Sequence, residues 1–521
     1  MPLDLILRGG SVYDGSGADP VRIDVGIAGE RIALMGDLCK AEARKTVDAT
    51  GHIVCPGFID THSHSDAFVL ADPTAPSKLF QGVTTEVVGQ CGISAAPRHG
   101  KARLPSDWES MAYPGEWRSV ADYRALVDRV RPLSNVILLI GHNLLRAGVA
   151  GYGSQPLTPD EQREMEKRLA EGMEEGGWGL STGLVYPPGR FAPPEEIRSL
   201  ARVAARHGGV YASHMRSEGV GLLAALDETL DIGRAAGLPI IVSHLKTSGP
   251  EAWPLLPAAL EKIESARTEG VPVYADRYPY TAGCTDLDIL MPAWAMEGSR
   301  DEILARLKDP ALRMRIRNEI EAGREPESWH RVWVGSTERK EFLGQPLTTV
   351  AQTLKTGPVD AALQLIEEDR LSTGGIFFGM SEANMNRILA LPWVMIGSDA
   401  SLRSPEGALH FDHPHPRAYG TFPRLLRKSL EGEGAPIGEM IRKMTSLPAR
   451  VFGLKDRGSL KPGAFADLVA FDPNRIRDRA TYEAPHQLAE GLKTVLVNGT
   501  VELLDGRPSG ARAGRFLARK E

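Results

Sequence analysis

Eight short apolar segments, each running into a loop and then a helix-like stretch, constrain this chain more than any other feature. They end at Ile59-Asp60, Val87-Val88, Leu138-Leu139-Ile140, Gly179-Leu180-Ser181, Val210-Tyr211-Ala212, Ile240-Ile241-Val242, Val273-Tyr274-Ala275 and Val394-Met395-Ile396. Near-continuous apolar strands suit a parallel sheet with helices packed over it. Alternation of such strands with helical patterns argues an α/β fold, and eight units favour a closed TIM-like (β/α)8 barrel over an open doubly wound sheet. The helices carry their own signals. Thr158-Pro159-Asp160-Glu161 reads as a capping box with proline at the first helical position. After it Met165, Leu169 and Met173 recur every four residues as one buried face.

The rhythm breaks between Ala275 and Val394, an interval far longer than the roughly 30 residues of a βαβ unit. Within it Arg300 to Leu307 has a helical pattern and Val332-Trp333-Val334 is strand-like. Residues 286–372 are therefore expected to be an inserted lid subdomain after strand 7, rising from the catalytic face. Short β-rich stretches lie at both ends of the chain, including Leu5-Ile6-Leu7, Ala466 to Phe471, and Val495-Leu496-Val497 before the hairpin signal Asn498-Gly499. Residues 1–55 and 456–521 are expected to combine into one small β-sandwich domain. That leaves 56–285 and 373–455 for the catalytic barrel.

At 521 residues the chain has room for a barrel of roughly 250 residues and both smaller pieces. A net charge of −6 gives no basic footprint for nucleic acid. No apolar run approaches the roughly 18 residues of a membrane span, and the start has no signal-peptide pattern. Four cysteines (Cys39, Cys55, Cys91, Cys284) in so long a chain do not make a disulfide framework, so a reducing cytoplasm is expected.

Six residues of metal-ligand or carboxylate type fall just after strand ends: His62 and His64, Cys91, His214, His244 and Asp399. In such a barrel the C-terminal strand ends converge on one face, which brings residues distant in sequence together. Imidazole and thiolate are good donors for Zn²⁺. Each residue alone has an ordinary explanation: a polar loop for His62-Ser63-His64, a buried small hydrophobe for Cys91, satisfied core histidines, a helix N-cap for Asp399. Their coincidence at the ends of strands 1, 2, 5, 6 and 8 favours a metal site.

With these residues in place, Gly57-Phe58-Ile59-Asp60-Thr61-His62-Ser63-His64-Ser65-Asp66 resembles the strand-1 signature of the amidohydrolase superfamily. Strand 4 ends Gly179 to Tyr186 without the lysine that bridges two metals in most bimetallic members, while Gln90-Cys91-Gly92 puts a thiol at the end of strand 2. That exchange is similar to the N-acyl-D-amino-acid deacylases, or D-aminoacylases, as are Ser213-His214-Met215-Arg216, Ser243-His244-Leu245-Lys246, Tyr278-Pro279-Tyr280 and His413-Pro414-His415-Pro416-Arg417. The resemblance implies one tightly held Zn²⁺ on Cys91, His214 and His244. It also implies a weaker second position at His62 and His64 that shares Cys91. Lys246, Tyr278 and Arg417 match positions that grip the substrate α-carboxylate, a task suited to a guanidinium supported by an ammonium and a phenol. The chain departs from the pattern in two places: Cys284 stands where a serine contacting the same carboxylate is expected, and Ser401 to His410 lengthens the loop between Asp399 and Arg417.

The expected reaction is zinc-dependent hydrolysis of a small-molecule N-acyl-D-amino acid, with Asp399 taking a proton from water and returning it to the leaving nitrogen. The nearest alternative is ring opening of a cyclic amide, as in a hydantoinase or dihydroorotase. The missing strand-4 lysine and the presence of Arg417 count against it. A Cys91 nucleophile leaves the other histidines unexplained, and a non-catalytic scaffold would have lost ligands.

Overall fold

The computed structural model describes residues 3–519. All eight anticipated strands are present, at Phe58–Asp60, Val83–Val88, Asn135–Leu138 continuing through Ile140–Gly141, Gly179–Gly183, Val210–His214, Ile240–Val242, Val273–Arg277 and Val394–Ile396. The first three make one parallel sheet, and Ile140–Gly141 with the remaining five make another. Backbone hydrogen bonds run between the two sheets at both margins. Leu139 N donates to Val88 O and Trp178 N to Leu138 O, both at 2.9 Å, and Thr61 N donates to Ile396 O at 3.3 Å.

Period-two alternation sorts the strand side chains. Ile240, Val242, Val273, Ala275 and Tyr211 pack with helix residues such as Met165, Leu169, Leu200, Leu226 and Ile263. Their neighbours Ile241, Val210 and Ala212 pack with Ile59, Val87, Ile137 and Met395 from the other strands. The helix Pro159–Glu174 begins with the expected capping box: Glu161 N donates to Thr158 Oγ1 and Thr158 N to Glu161 Oε2, and Met165, Leu169 and Met173 are buried.

Between Arg277 and Val394 lies an antiparallel sheet of Ala282–Asp286, Gly374–Phe378 and Val332–Ser336. The helices Arg300–Lys308, Pro310–Ala322, Leu347–Leu354 and Pro358–Glu368 accompany it. This segment has its own core, including Leu307, Ile316, Trp329, Val334, Leu347 and Ile366.

Strands from both ends of the chain form one nine-stranded sheet. Ile53–Pro56 joins the halves, pairing with Leu3–Val12 on one side and Leu468–Phe471 on the other. Leu468 and Ala470 face a core with Leu5, Leu7, Val25 and Ile27. Val469 and Phe471 face Phe58, Phe422 and Met444 instead, so the sheet packs against the rest of the molecule. Asn498 and Gly499 make the anticipated hairpin with φ of 48° and 76°, the left-handed pair such a two-residue turn requires. Among the described residues, no helix is long and apolar enough to cross a membrane.

Candidate metal centre

His62 and His64 extend the first strand. Ser63 N donates to Val87 O, so the pleat sends both flanking imidazoles the same way. Cys91 follows the second strand in a turn packed against the third and fourth, where a Cβ on Gly89 would lie 1.9 Å from Leu139 O. His214 ends the fifth strand, and His244 and Asp399 follow the sixth and eighth. Cys91, His244 and Asp399 have φ of 53°, 37° and 51°. Left-handed backbone at non-glycine residues costs of order 1–3 kcal/mol each and collects at functional sites.

These residues converge. Cys91 Sγ lies 3.3 Å from His62 Nε2 and 3.5 Å from His244 Nε2. His244 Nε2 is 3.0 Å from His214 Nδ1. Asp399 Oδ1 is 3.4 Å from His62 Nε2 and 3.1 Å from His64 Nε2. The donor atoms of His62, Cys91, His244 and Asp399 all lie within 4.8 Å of one another, as do those of His214, Glu218 and His244. The sequence-derived residues His62, Cys91, His214, His244 and Asp399 thus fall, together with Glu218, into two overlapping donor groups that share His244. His64 reaches the first through Asp399.

Two carboxylates not anticipated from the sequence orient the imidazoles. Asp276 accepts from His62 Nδ1 at 3.2 Å and from His244 N at 2.7 Å. Glu218 Oε1 is 2.8 Å from His244 Nδ1. Each holds one ring nitrogen and turns the other toward the cluster, the arrangement that fixes tautomer and orientation in metal-ligating histidines. Asp276 is the lone acid in the buried strand Val273–Arg277, and Glu218 sits four residues beyond His214; either is a signal that a search for partners of the ligands would have found. Tyr186, after the fourth strand, was also missed; its ring centroid is 5.0 Å from that of His214, and its hydroxyl pairs with Thr285 at 2.9 Å.

Charge in the cluster is distributed as a cation site requires. Burial opposes ionisation of Cys91, but His62, His214 and His244 outweigh it and hold the thiol well below its ordinary range. Burial likewise opposes charge on Asp399, and Arg417, His244 and His62 overcome it, keeping the carboxyl well below the usual range. A thiolate, a carboxylate and imidazoles turned inward are a donor set that fits Zn²⁺.

The expected carboxylate-binding residues lie beside this cluster. Arg417 Nη1 donates to Asp399 Oδ2 at 2.7 Å and Nη2 to Cys284 O at 3.4 Å, with the guanidinium 4.6 Å from the centre of the Tyr278 ring. Arg417 Nε and Tyr278 Oη are buried and have no partner among the described residues. Lys246 is engaged elsewhere: Nζ donates to Glu218 Oε1 at 2.5 Å and lies 2.6 Å from His244 Nδ1. Cys284 falls in the antiparallel strand Ala282–Asp286, and burial pushes its thiol up to about 11. A cavity of about 1730 Å³ is lined by Cys91, Asp399 and Tyr278 of the cluster and its surroundings, by Ile289 and Ile303 of the inserted segment, and by Phe377 just beyond it.

The profile described as "Amidohydrolase family" matches residues 45–501. The chain is 40% identical to the N-acyl-D-glutamate deacylase of Alcaligenes xylosoxydans xylosoxydans over 99% of its own length and 97% of that protein. It is 37% identical to the D-aminoacylase of the same organism, covering 99% and 98%. The crystal structure of N-acyl-D-glutamate deacylase from Bordetella bronchiseptica, complexed with zinc and a phosphonate mimic of the tetrahedral intermediate, superimposes with a TM-score of 0.86 at 36% identity, over 99% of this chain and all of that one.

Proposed function

Because the chain belongs to the amidohydrolase family, we propose that it hydrolyses the amide bond of N-acyl-D-amino acids, releasing a carboxylate and a free D-amino acid. The observation that carries this reading is the position of Cys91, whose sulfur meets His62 and His244 at the strand ends while the fourth strand, Gly179–Gly183, brings no lysine. Full-length identity to two deacylases of linear amides supports it over the cyclic-amide alternative.

Cys91, His214 and His244 would hold one zinc tightly, with His62 and His64 offering a weaker second position that shares Cys91. Zinc supplies Lewis acidity, polarising the acyl carbonyl and lowering the pKa of a water. Asp399 takes that water's proton and returns it to the amide nitrogen, which is a poor leaving group until protonated. Arg417 and Tyr278 bind the α-carboxylate, their buried unpartnered Nε and Oη being atoms a substrate oxygen can satisfy. Lys246, whose ammonium is paired with Glu218, and Cys284 line the same cavity and complete the proposed carboxylate-binding set.

The two parallel sheets are read as a single eight-stranded barrel over residues 56–285 and 373–455. The backbone bonds at their margins support closure. The terminal sheet is read as a small β-sandwich domain and residues 286–372 as the lid that walls the cavity.

The test is an activity panel on zinc-loaded enzyme: N-acetyl and N-formyl amino acids against hydantoins and dihydroorotate. Release of free amine from the linear substrates is expected. Turnover of the cyclic amides alone would overturn the reading.

A further inference from the structure

Beneath the metal cluster lies a second polar group that the reaction does not use. Lys78 is 1% exposed and Asp60 is fully buried. Lys78 Nζ donates to Asp60 Oδ2 at 2.6 Å, to Ser398 Oγ at 2.7 Å and to Ala400 O at 2.9 Å, which occupies all three ammonium protons. Asp60 accepts from Ser398 N at 2.8 Å, Ser398 Oγ at 2.6 Å and His62 N at 3.3 Å. Glu86 flanks the pair, its carboxylate 3.7 Å from Lys78 and bonded to the hydroxyls of Ser63, Ser65 and Ser134.

Apart from the Glu86 flank, the side-chain contacts of Lys78 and Asp60 beyond the pair fall on the neighbours of Asp399 and on His62. Ser398 and Ala400 bracket Asp399, and Asp60 also reaches the backbone of His62. Asp399 has a φ of 51° and its own N–H donates to His62 O at 2.8 Å. A non-glycine residue stays in that conformation only where its surroundings over-determine it. Removing two charges from water carries several kcal/mol of penalty per ion, so a buried pair is weak evidence for stability alone.

We propose that the buried Lys78–Asp60 pair is a positioning device: it clamps the peptide units on both sides of Asp399, fixes the left-handed backbone there, and aims the carboxylate at the reacting water. The Lys78 ammonium bonds no metal donor and does not line the cavity, and the shorter contacts of the pair, to Ser398 and Ala400, lead to Asp399, with Asp60 reaching His62 only at its backbone N–H, 3.3 Å away. The inference rests on the role given to Asp399 above.

The test replaces both charges together, Lys78→Met with Asp60→Asn, so that no lone partner is left buried, and uses the full-length zinc-loaded protein. A misplacement of about 1 Å at a catalytic group costs on the order of 100-fold in rate. The expected result is therefore a kcat lower by about that factor with KM within about threefold, and an unchanged zinc content. Amide hydrogen exchange should rise over residues 397–401 and stay constant over 240–246. Introduced into Asp399→Asn, the same pair of changes should cost less than about threefold further, because both act on one group. An additive loss in that background, loss of zinc, or unchanged exchange over 397–401 would overturn the clamp. Parent-like turnover by Asp399→Asn itself contradicts the role given to Asp399, whereas the exchange measurement still decides the backbone clamp. Should the double variant not fold, Ser398→Ala removes the hydroxyl that bridges the pair. It should lower kcat about tenfold at constant KM and raise exchange over 397–401. Parent values of both would overturn the proposal.

Discussion

Arg417 Nη1 donates to Asp399 Oδ2 at 2.7 Å, so the guanidinium expected to grip substrate is bonded to the carboxylate expected to move the proton. This bond compensates two buried charges. Arg417 Nε and Tyr278 Oη, buried and without a partner among the described residues, are the donors from which an incoming carboxylate would accept. Arg417→Lys keeps the charge and loses the planar two-oxygen grip. KM for N-acyl-amino acids should rise about 10- to 100-fold, the weight of a charge-assisted hydrogen bond of about 1.5–3 kcal/mol. Capping the substrate carboxylate as a methyl ester should cost the parent heavily and the variant little. Steady-state kinetics on both substrates checks it, and equal rates on capped and free substrate by the parent would revive the cyclic-amide alternative.

Cys91→Ala removes the only thiolate of the cluster, where sulfur sits between His62 and His244. Imidazoles alone bind zinc less tightly than a set completed by a charged thiolate. Metal analysis of the purified variant should show strongly reduced zinc, with activity falling in proportion. Full occupancy would remove Cys91 from the ligand set.

Asp399→Asn preserves shape but cannot accept a proton. Turnover should fall about 10²- to 10⁴-fold, the usual contribution of a general acid–base group, while the zinc stays. Pre-steady-state rates and metal content together separate this loss from loss of the metal.

Glu502 makes a prediction far from the site. It is fully buried in the strand Thr500–Leu504, where Oε1 accepts from Ala513 N at 2.7 Å and Oε2 has no partner among the described residues. Burial first, and nearby Asp467 after it, push its carboxyl from 4.5 to about 8. The folded state therefore holds a proton that the unfolded chain has released, and the stabilisation from this group is complete below about pH 4.5 and lost as pH rises toward 8. Glu502→Gln should leave acid stability unchanged and stabilise the protein above pH 8 by about 1–3 kcal/mol, the penalty of an unsatisfied buried group. Denaturant titrations at the two ends of that range check both halves.

Much of this arrangement was legible in the sequence because it depends on local pattern. The eight strands are apolar runs whose neighbours are helices, and the ligands stand at their ends, so the order of elements already places His62, Cys91, His214, His244 and Asp399 together. What the sequence did not show depends on contacts between distant segments. Asp276 and Glu218 look like ordinary acids until the strand ends meet and each faces an imidazole. Lys78 looks like a surface lysine, since nothing nearby announces that its ammonium will reach a loop 320 residues away. The strand Ala282–Asp286, with a glycine, a cysteine and an aspartate, has no apolar pattern; only pairing with Gly374–Phe378 defines it.

The most direct measurement of the central claim is kcat/KM for the two enantiomers of one N-acetyl amino acid, on enzyme stripped by a chelator and on the same enzyme restored with zinc. Negligible activity is expected in the stripped protein and recovery with zinc, with the D enantiomer preferred by about 100-fold or more, a margin that pocket contacts can supply. Comparable rates on both enantiomers, or full activity without metal, would contradict it.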